Sequence, residues 1–520
     1  MARFFFTDRF NALNSWSGRL FEATTGTVVN TATATAYTFT LPAGHPFAGY
    51  KVLVQGRGFT YLGSVVTGGT MSNVRVINDL GQSVLFIDNL APNTLASDLV
   101  QFVTNAFGWK DHLGDGPDPD GKMVWNHLLS GNDTFFGTNG DDQNTQGVNG
   151  GNDVFNMLGG DDEVAGGIGA DTINGGAGFD VLDFSNTSFN EGGSAYRGIT
   201  ALMALGKVTD PWGFVDTFSG IEAIVGSRFN DVIVGTGGRD QFTGLRGSDT
   251  INGGADSDTI RYDNDIWNGG TAGIFADLQI TMAGGAIGGY IRDGFGTVDR
   301  VTDIERVIGT IYNDVFYGST VNNHFWGGEG TDYYNGDAGS DWLRFDRWFE
   351  NAPTSGVVVD MSLATNQIIK DGHGNTEKIF NIENIVGNNL NDSIIGSAGN
   401  NYLVGRDGSD TLTGGGGVDY FEFWNQGDAD DNDLITDFTA SGAASEIDVL
   451  SFDSQGFAGM TTTLTLVNGT VATSAVGTFL FDDATDHLFW DSAGTGAAGP
   501  ILVATLSGVS ALSAANFDLY

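Results

Sequence analysis

The sequence predicts an all-β fold: tandem coiled modules with β inserts, between a small N-terminal β-rich domain and a C-terminal β cap. Three observations predict it. Glycine is abundant and proline scarce, 80 against 8 in 520 residues. A nine-residue unit, Gly-Gly-x-Gly-x-Asp-x-apolar-x, runs in phase, most plainly in "GGIGADTINGGAGFDVLD" from Gly166 to Asp183. Blocks of four such units return roughly every 80 residues, the scale on which supersecondary units repeat.

Each unit divides into a six-residue Gly/Asp/Asn turn and a three-residue strand whose middle side chain, Ile173 or Leu182 in the opening pair, faces inward. Four units fill 148–183, and two more fill 128–145 before a two-residue slip at Gln146 and Gly147. The block returns at 226–261, 309–344 and 387–422. Inserts of about 42 to 47 residues separate the blocks, and strand-like stretches such as "GIFADLQI" and "GVVVDMSL" lie in them. The joints "FSGIEAIVG", "VTDIERVIG" and "IFNIENIVG" run straight into the next block. Each block closes on an apolar-x-aromatic step, Leu182/Phe184, Ile260/Tyr262, Leu343/Phe345 and Phe421/Phe423. Phe229, Tyr312 and Leu390 replace the third glycine of the first unit in the last three blocks, and read as caps that pack on the preceding insert.

One buried Leu or Ile per nine residues offsets only a small part of the backbone entropy lost on folding. Charge worsens the balance, with 64 acidic against 22 basic side chains and a net charge of -42. Such a chain repels nucleic acid and attracts cations. Alternate turns of a two-sided coil share an edge, so acids 18 residues apart should face one another. The pairs are Asp153/Asp171, Asp162/Asp180, Asp231/Asp249, Asp240/Asp258, Asp314/Asp332, Asn323/Asp341, Asp392/Asp410 and Asn401/Asp419, with Asp133 and Asp142 in the two leading units. Calcium, which takes six to eight oxygens from carboxylates and carbonyls, suits such ladders.

Residues 128–427 resemble the RTX family, whose calcium-binding nonapeptide has this form, and about eighteen copies in phased blocks carry the resemblance. It implies a right-handed parallel β-roll in which the Asp carboxylate of one turn and glycine carbonyls of neighbouring turns share each of multiple Ca2+ ions. On this resemblance the carbonyl donors are Gly151, Gly160, Gly169, Gly178, Gly238, Gly247, Gly330, Gly339, Gly399, Gly408 and Gly417. Asn323 and Asn401 keep an oxygen and lose a charge, which predicts weaker sites.

The ends differ. Residues 1–127 read as a β-rich domain from "GTVVNTATATAYTFTL", "YKVLVQGRGFTYLG" and "NVRVINDLGQSVLFIDNL", with helical spacing in "NTLASDLVQFVTNAFG" capped at Asn93 or Ser97. "DGPDPDG" from Asp115 lacks the spacing of an EF-hand loop and reads as a linker. Residues 428–520 resemble the C-terminal cap and uncleaved type I secretion signal of RTX exoproteins, which implies the type I secretion machinery as a partner. No cleaved N-terminal signal, membrane span or cysteine is present in the sequence, so the expected location is extracellular or on the cell surface.

No enzyme is expected. His45, His112, His127, His324, His373 and His487 stand singly, none followed by Glu, and no Ser lies in a Gly-x-Ser-x-Gly elbow. The expected function is a secreted calcium-binding structural protein that self-assembles as a surface-layer, sheath or filament subunit, a homo-oligomer or lattice with cell-surface polysaccharide as a further partner. An adhesin or matrix protein binding glycans or other cells is the alternative. If the acidic ladders need a cation, chelation unfolds 128–427 and millimolar calcium restores β structure. A far-ultraviolet circular dichroism spectrum taken with and without EDTA checks this, and an unchanged spectrum refutes it.

Overall fold

The computed structural model describes residues 151–185, 196–281, 287–347, 351–363, 367–425, 432–472, 476–492 and 500–520, together with Asp141 and the strand backbone between 3 and 144. The predicted helix at 93–108 and the linker at 115–121 lie outside the described residues. The described chain is built of β-strands and short 3-10 turns, and forms two compact units, Met1–Asp256 and Ser257–Tyr520.

In the first unit, strands Val28–Ala32, Ala36–Thr40, Lys51–Leu62, Val65–Ile77, Ser83–Asp88 and Arg3–Phe6 pair antiparallel in that order. Apart from Arg3–Phe6 and the first part of Val65–Ile77, these fall in the stretches that read as strands in the sequence. Arg3–Phe6 also pairs parallel with Thr134–Phe136, which pairs parallel with Val154–Asn156, so an antiparallel sheet runs on into a parallel coil.

The coil is a parallel β-roll with two ladders. One runs Val154–Asn156, Thr172–Asn174, Val215–Ser219. The other runs Glu163–Val164, Val181–Asp183, Ala223–Val225, Gln241–Thr243. The middle residues Phe155, Ile173, Val164, Leu182, Ile224 and Phe242 all point into the space between them and are almost wholly buried. The insert is spliced into one ladder only: Val215–Ser219, Lys207–Thr209 and Thr200–Leu202 pair antiparallel, and Thr200–Leu202 rejoins a parallel run with Val232–Val234 and Thr250–Asn252.

The second unit repeats the splice. Its inserts are the antiparallel sets Phe275–Thr281, Ile287–Arg292, Val298–Thr302 and Val358–Asp360, Gln367–Lys370, Thr376–Phe380. Between them Val315–Tyr317 and Tyr333–Asn335 coil parallel on one side, and Arg306–Ile308, His324–Trp326, Trp342–Arg344 and Asn384–Val386 on the other. Phe316 stacks on Tyr334 at 5.0 Å and meets Phe325 of the opposite ladder at 5.3 Å, which fills the roll from both sides. The parallel coil continues beyond the nonapeptides, with Asp433–Ile435 on Thr411–Thr413, Val449–Phe452 on Tyr420–Phe423 and Phe517–Leu519 on Val449–Phe452.

The expected caps differ from one another. Phe229 packs against Ile168 and Trp212, the latter from the preceding insert. Leu390 is instead exposed, although its amide is taken by Asn388 just as those of Phe229 and Tyr312 are taken by Ser227 and Thr310. Because Phe316 is fully buried, Phe316→Ala should lower unfolding free energy in calcium by about 3–5 kcal/mol. Val232→Thr, on the outer face, should change it by under about 0.5 kcal/mol. Guanidinium unfolding followed by circular dichroism separates the two.

Candidate calcium ladders

The acid of each nonapeptide stands just before its strand, so strand pairing lays acids of alternate turns over one another, about 4.8 Å apart. Each carboxylate then accepts the amide of the rung before it. Asp171 Oδ1 accepts the Asp153 amide at 2.8 Å, Asp180 that of Asp162 at 2.9 Å, and Asp249 that of Asp231 at 2.8 Å. Asp332, Asp341, Asp410 and Asp419 accept from Asp314, Asn323, Asp392 and Asn401 at 2.7, 2.7, 2.7 and 2.9 Å. Asp240 and Asp258 are buried in their own units. Asp133 and Asp142 lie outside the described residues.

The ladders do not stop where the repeats stop. Asp216 accepts the Asp171 amide at 2.9 Å, and Glu222, Glu305 and Glu383 accept those of Asp180, Asp258 and Asp341 at 2.9, 3.0 and 2.9 Å. Asp433 and Asp448 do the same for Asp410 and Asp419 at 2.9 and 3.0 Å. The Lys378 to Tyr333 register sets Glu377 beside Asp332. These rungs were missed because they lie outside the nine-residue pattern. For Glu222, Glu305 and Glu383 the signal was the Ile-Glu dipeptide common to all three joints.

Two kinds of turn hold the rungs. In Asp171 and Asp180, whose units open with Gly-Gly, and in Asp341, whose unit opens with Gly-Asp, a buried Oδ2 has no hydrogen-bond partner, whereas Asp332 of another Gly-Gly unit takes the Tyr334 hydroxyl at 3.1 Å. Where the unit opens with Gly-Ser, Gly-Thr or Gly-Asn, the turn caps its own acid. Asp231 accepts the Ser227 amide at 2.7 Å, Asp240 that of Thr236 at 2.5 Å, Asp314 that of Thr310 at 2.6 Å and Asp392 that of Asn388 at 2.8 Å. Asn323 and Asn401 belong to this kind, accepting from Ser319 and Ser397 at 2.7 Å each. Their amide nitrogens donate to the carbonyls of Glu305 and Glu383 at 3.3 and 2.6 Å, where a carboxylate would repel.

The glycines complete the edge. A Cβ at Gly169 would collide with the Gly151 carbonyl oxygen, and one at Gly178 with that of Gly160, so carbonyls of successive turns crowd along each edge. Left-handed backbone occurs at Gly151, Gly160, Gly169, Gly178, Gly330, Gly339, Gly408 and Gly417, and not at Gly238, Gly247 or Gly399. Among the described residues no three acidic or histidine side chains form a cation cage by themselves. Main-chain carbonyls must therefore complete any site. Unpartnered buried carboxylate oxygens facing carbonyls are an all-oxygen donor set, which fits calcium.

Burial drives the carboxyls upward. Asp171 is raised to about 7, first by burial and then by Asp210; Asp341 and Asp419 are also raised to about 7 and Asp392 to about 8, with Asp410 adding its charge. Asp332 and Glu377 are pushed well above the usual range by burial and by neighbouring acids.

The family model described as the RTX calcium-binding nonapeptide repeat matches residues 129–143, 148–182, 218–265, 308–343 and 386–421. The chain carries RTX calcium-binding nonapeptide repeats. It binds multiple Ca2+ ions through these repeats, and the parallel β-roll is the fold its sequence predicted. No curated protein matches the chain. One solved structure similar to it is the extracellular lipase LipA from Serratia marcescens, at 13% identity over 93% of this chain and 82% of that one. Its TM-score of 0.19 is too low to bear on fold or activity. Among the described residues no helix is long and apolar enough to cross a membrane.

A carboxyl whose folded value lies above its unfolded value of about 3.9 stabilises the fold only while protonated. That contribution is complete below about pH 4 and is lost as pH rises through the folded values of about 7 to 8 of Asp171, Asp341, Asp419 and Asp392. The calcium-free protein should therefore show more β structure at pH 5 than at pH 8, and saturating calcium should abolish the difference. Circular dichroism of dialysed protein across this range checks both halves.

Proposed function

We propose that the protein is exported by a type I system and works outside the cell as a calcium-folded structural subunit, assembling with copies of itself into a surface layer, sheath or filament. In this reading residues 1–127 form an N-terminal domain, 128–427 the calcium-binding array, and 428–520 a cap carrying the export signal. The low free calcium of the cytosol keeps the acidic ladders uncompensated and the chain loose, and extracellular calcium folds it.

The observation that carries the proposal is on the outer faces of the second unit. On one face, His324 stacks on Trp342 at 5.6 Å, Trp342 meets Tyr402 at 5.7 Å, and Tyr402 stacks on Tyr420 at 4.3 Å. On the other, Phe275, Tyr317, Tyr333 and Phe380 form a second row with spacings of 5.8, 5.5 and 5.3 Å. Aromatic rows at strand spacing on a flat sheet are rigid and amphipathic, which suits side-by-side contact between copies. The same rows favour the second reading, an adhesin or matrix protein that lays sugar rings on them.

Electron microscopy of the purified protein should find ordered sheets or filaments in millimolar calcium that disperse in EDTA. Dispersed particles in both conditions, together with retention on immobilised polysaccharide, would replace assembly with the adhesin reading.

A further inference from the structure

Each insert contains a loop of the form Asp-x-x-Gly-x-x-acid that belongs to no nonapeptide. The loops run from Asp210 to Asp216, Asp293 to Asp299 and Asp371 to Glu377. Their central glycines, Gly213, Gly296 and Gly374, all have left-handed backbone, with φ of 103, 86 and 92°. The first acid ties the loop together through amides of its own turn. Asp210 Oδ1 accepts from Trp212, Gly213 and Phe214 at 3.0, 2.5 and 2.7 Å. Asp293 Oδ1 accepts from Phe295 and Thr297 at 3.1 and 2.7 Å, and Asp371 Oδ1 from His373 and Asn375 at 3.0 and 2.7 Å. All six acids are at most 1% exposed.

The second acid of each loop is buried at the equivalent place in its last insert strand. In the first insert Asp216 takes the Asp171 amide and Asp210 takes that of Gly169, so two loop carboxylates grip one nonapeptide turn. In the third, Glu377 lies beside Asp332. In the second, Asp265 reaches the loop by accepting the Gly294 amide at 2.9 Å, and Tyr262 donates to Asp299 at 2.9 Å.

These clusters hold oxygens that nothing in the protein satisfies. Glu377 buries both of its oxygens without a hydrogen-bond partner, Asp210 and Asp216 each bury an Oδ2, and Asp265 buries an Oδ1. A buried carboxylate left so is costly unless a cation meets it. No three of these carboxylates form a cation cage by themselves, so main-chain carbonyls must complete each seat. The last position takes Asp or Glu, as a charge-bearing ligand would allow. Every donor is oxygen, which selects a hard divalent ion.

We propose that each insert loop builds a calcium seat of its own, outside the nonapeptide turns, that clamps the insert to the roll: Asp210 and Asp216 with Asp171, Asp293 and Asp299 with Asp265, and Asp371 and Glu377 with Asp332. These seats add to the repeat sites and make insert docking calcium-dependent.

Asp210 and Asp371 belong to no ladder rung; Asp371 accepts from His373 and Asn375 of its own loop, so Asp371→Asn tests its seat without touching a nonapeptide turn, and Asp210→Asn is the parallel test in the loop that also holds the Gly169 amide. Equilibrium dialysis of the full chain followed by atomic emission should count one fewer calcium for each substitution and two fewer for the double variant. An unchanged count in all three overturns the proposal. If a variant fails to fold, Trp212→Phe decides through terbium loading, since Trp212 adjoins Asp210 in the loop. Tryptophan-excited terbium emission falling at unchanged metal count supports an ion there, and unaltered emission overturns it.

Discussion

The repulsion between carboxylates stacked at strand spacing is the constraint on which the rest of this protein depends. Among the described residues the turns of the roll bury an acid, or at Asn323 and Asn401 its amide, over the rung two turns earlier, in surroundings where charge is poorly screened. One oxygen of each stacked acid is met by the amide of the rung before, which is the same geometry that sets strand register. The remaining oxygens decide the chemistry. The protein offers Asp171, Asp180 and Asp341 no donor for Oδ2, and crowded carbonyls from neighbouring turns stand where a cation can share them. In the proposed reading, folding and calcium binding form a single equilibrium in this array.

The inserts obey the same constraint. A detour of some forty residues would break a ladder if it returned at an arbitrary place. Each insert instead returns with an acid at the rung, Asp216 and Glu222 in the first and Glu377 and Glu383 in the third, at the register the next nonapeptide would have used. Two antiparallel strands are added to one ladder while the other passes straight through. Side faces and loops thus vary along the array while both edges remain continuous lines of carboxylate within each unit.

Not every rung depends equally on a cation. Turns opened by Ser, Thr or Asn cap their own acid, as at Asp231, Asp240, Asp314 and Asp392, and these lie in the first or second unit of a block. Asn323 and Asn401 go further by donating to the carbonyls of Glu305 and Glu383, so a hydrogen bond stands where a second charge would be. Each block after the first in this way begins with turns that cap their own acid or amide.

Much was legible in the sequence because the determinants are local and periodic. A nine-residue period with one apolar position can only coil, and the acids 18 residues apart meet as soon as it does; Phe155, Ile173 and Phe242 point inward for the same reason. Joints, block starts and the strands of the inserts followed from the same self-similarity. What tertiary structure decided is non-local. Nothing in the order of residues 184–225 says that Asp216 lands on Asp171 while Asp210 grips the Gly169 turn, because that depends on which ladder accepts the hairpin. Nor does the chain itself distinguish Leu390, which stays exposed, from Phe229, which finds Ile168 and Trp212 to pack against. Repetition prescribes contacts between like positions, and contacts between unlike segments exist only once the coil has brought them together.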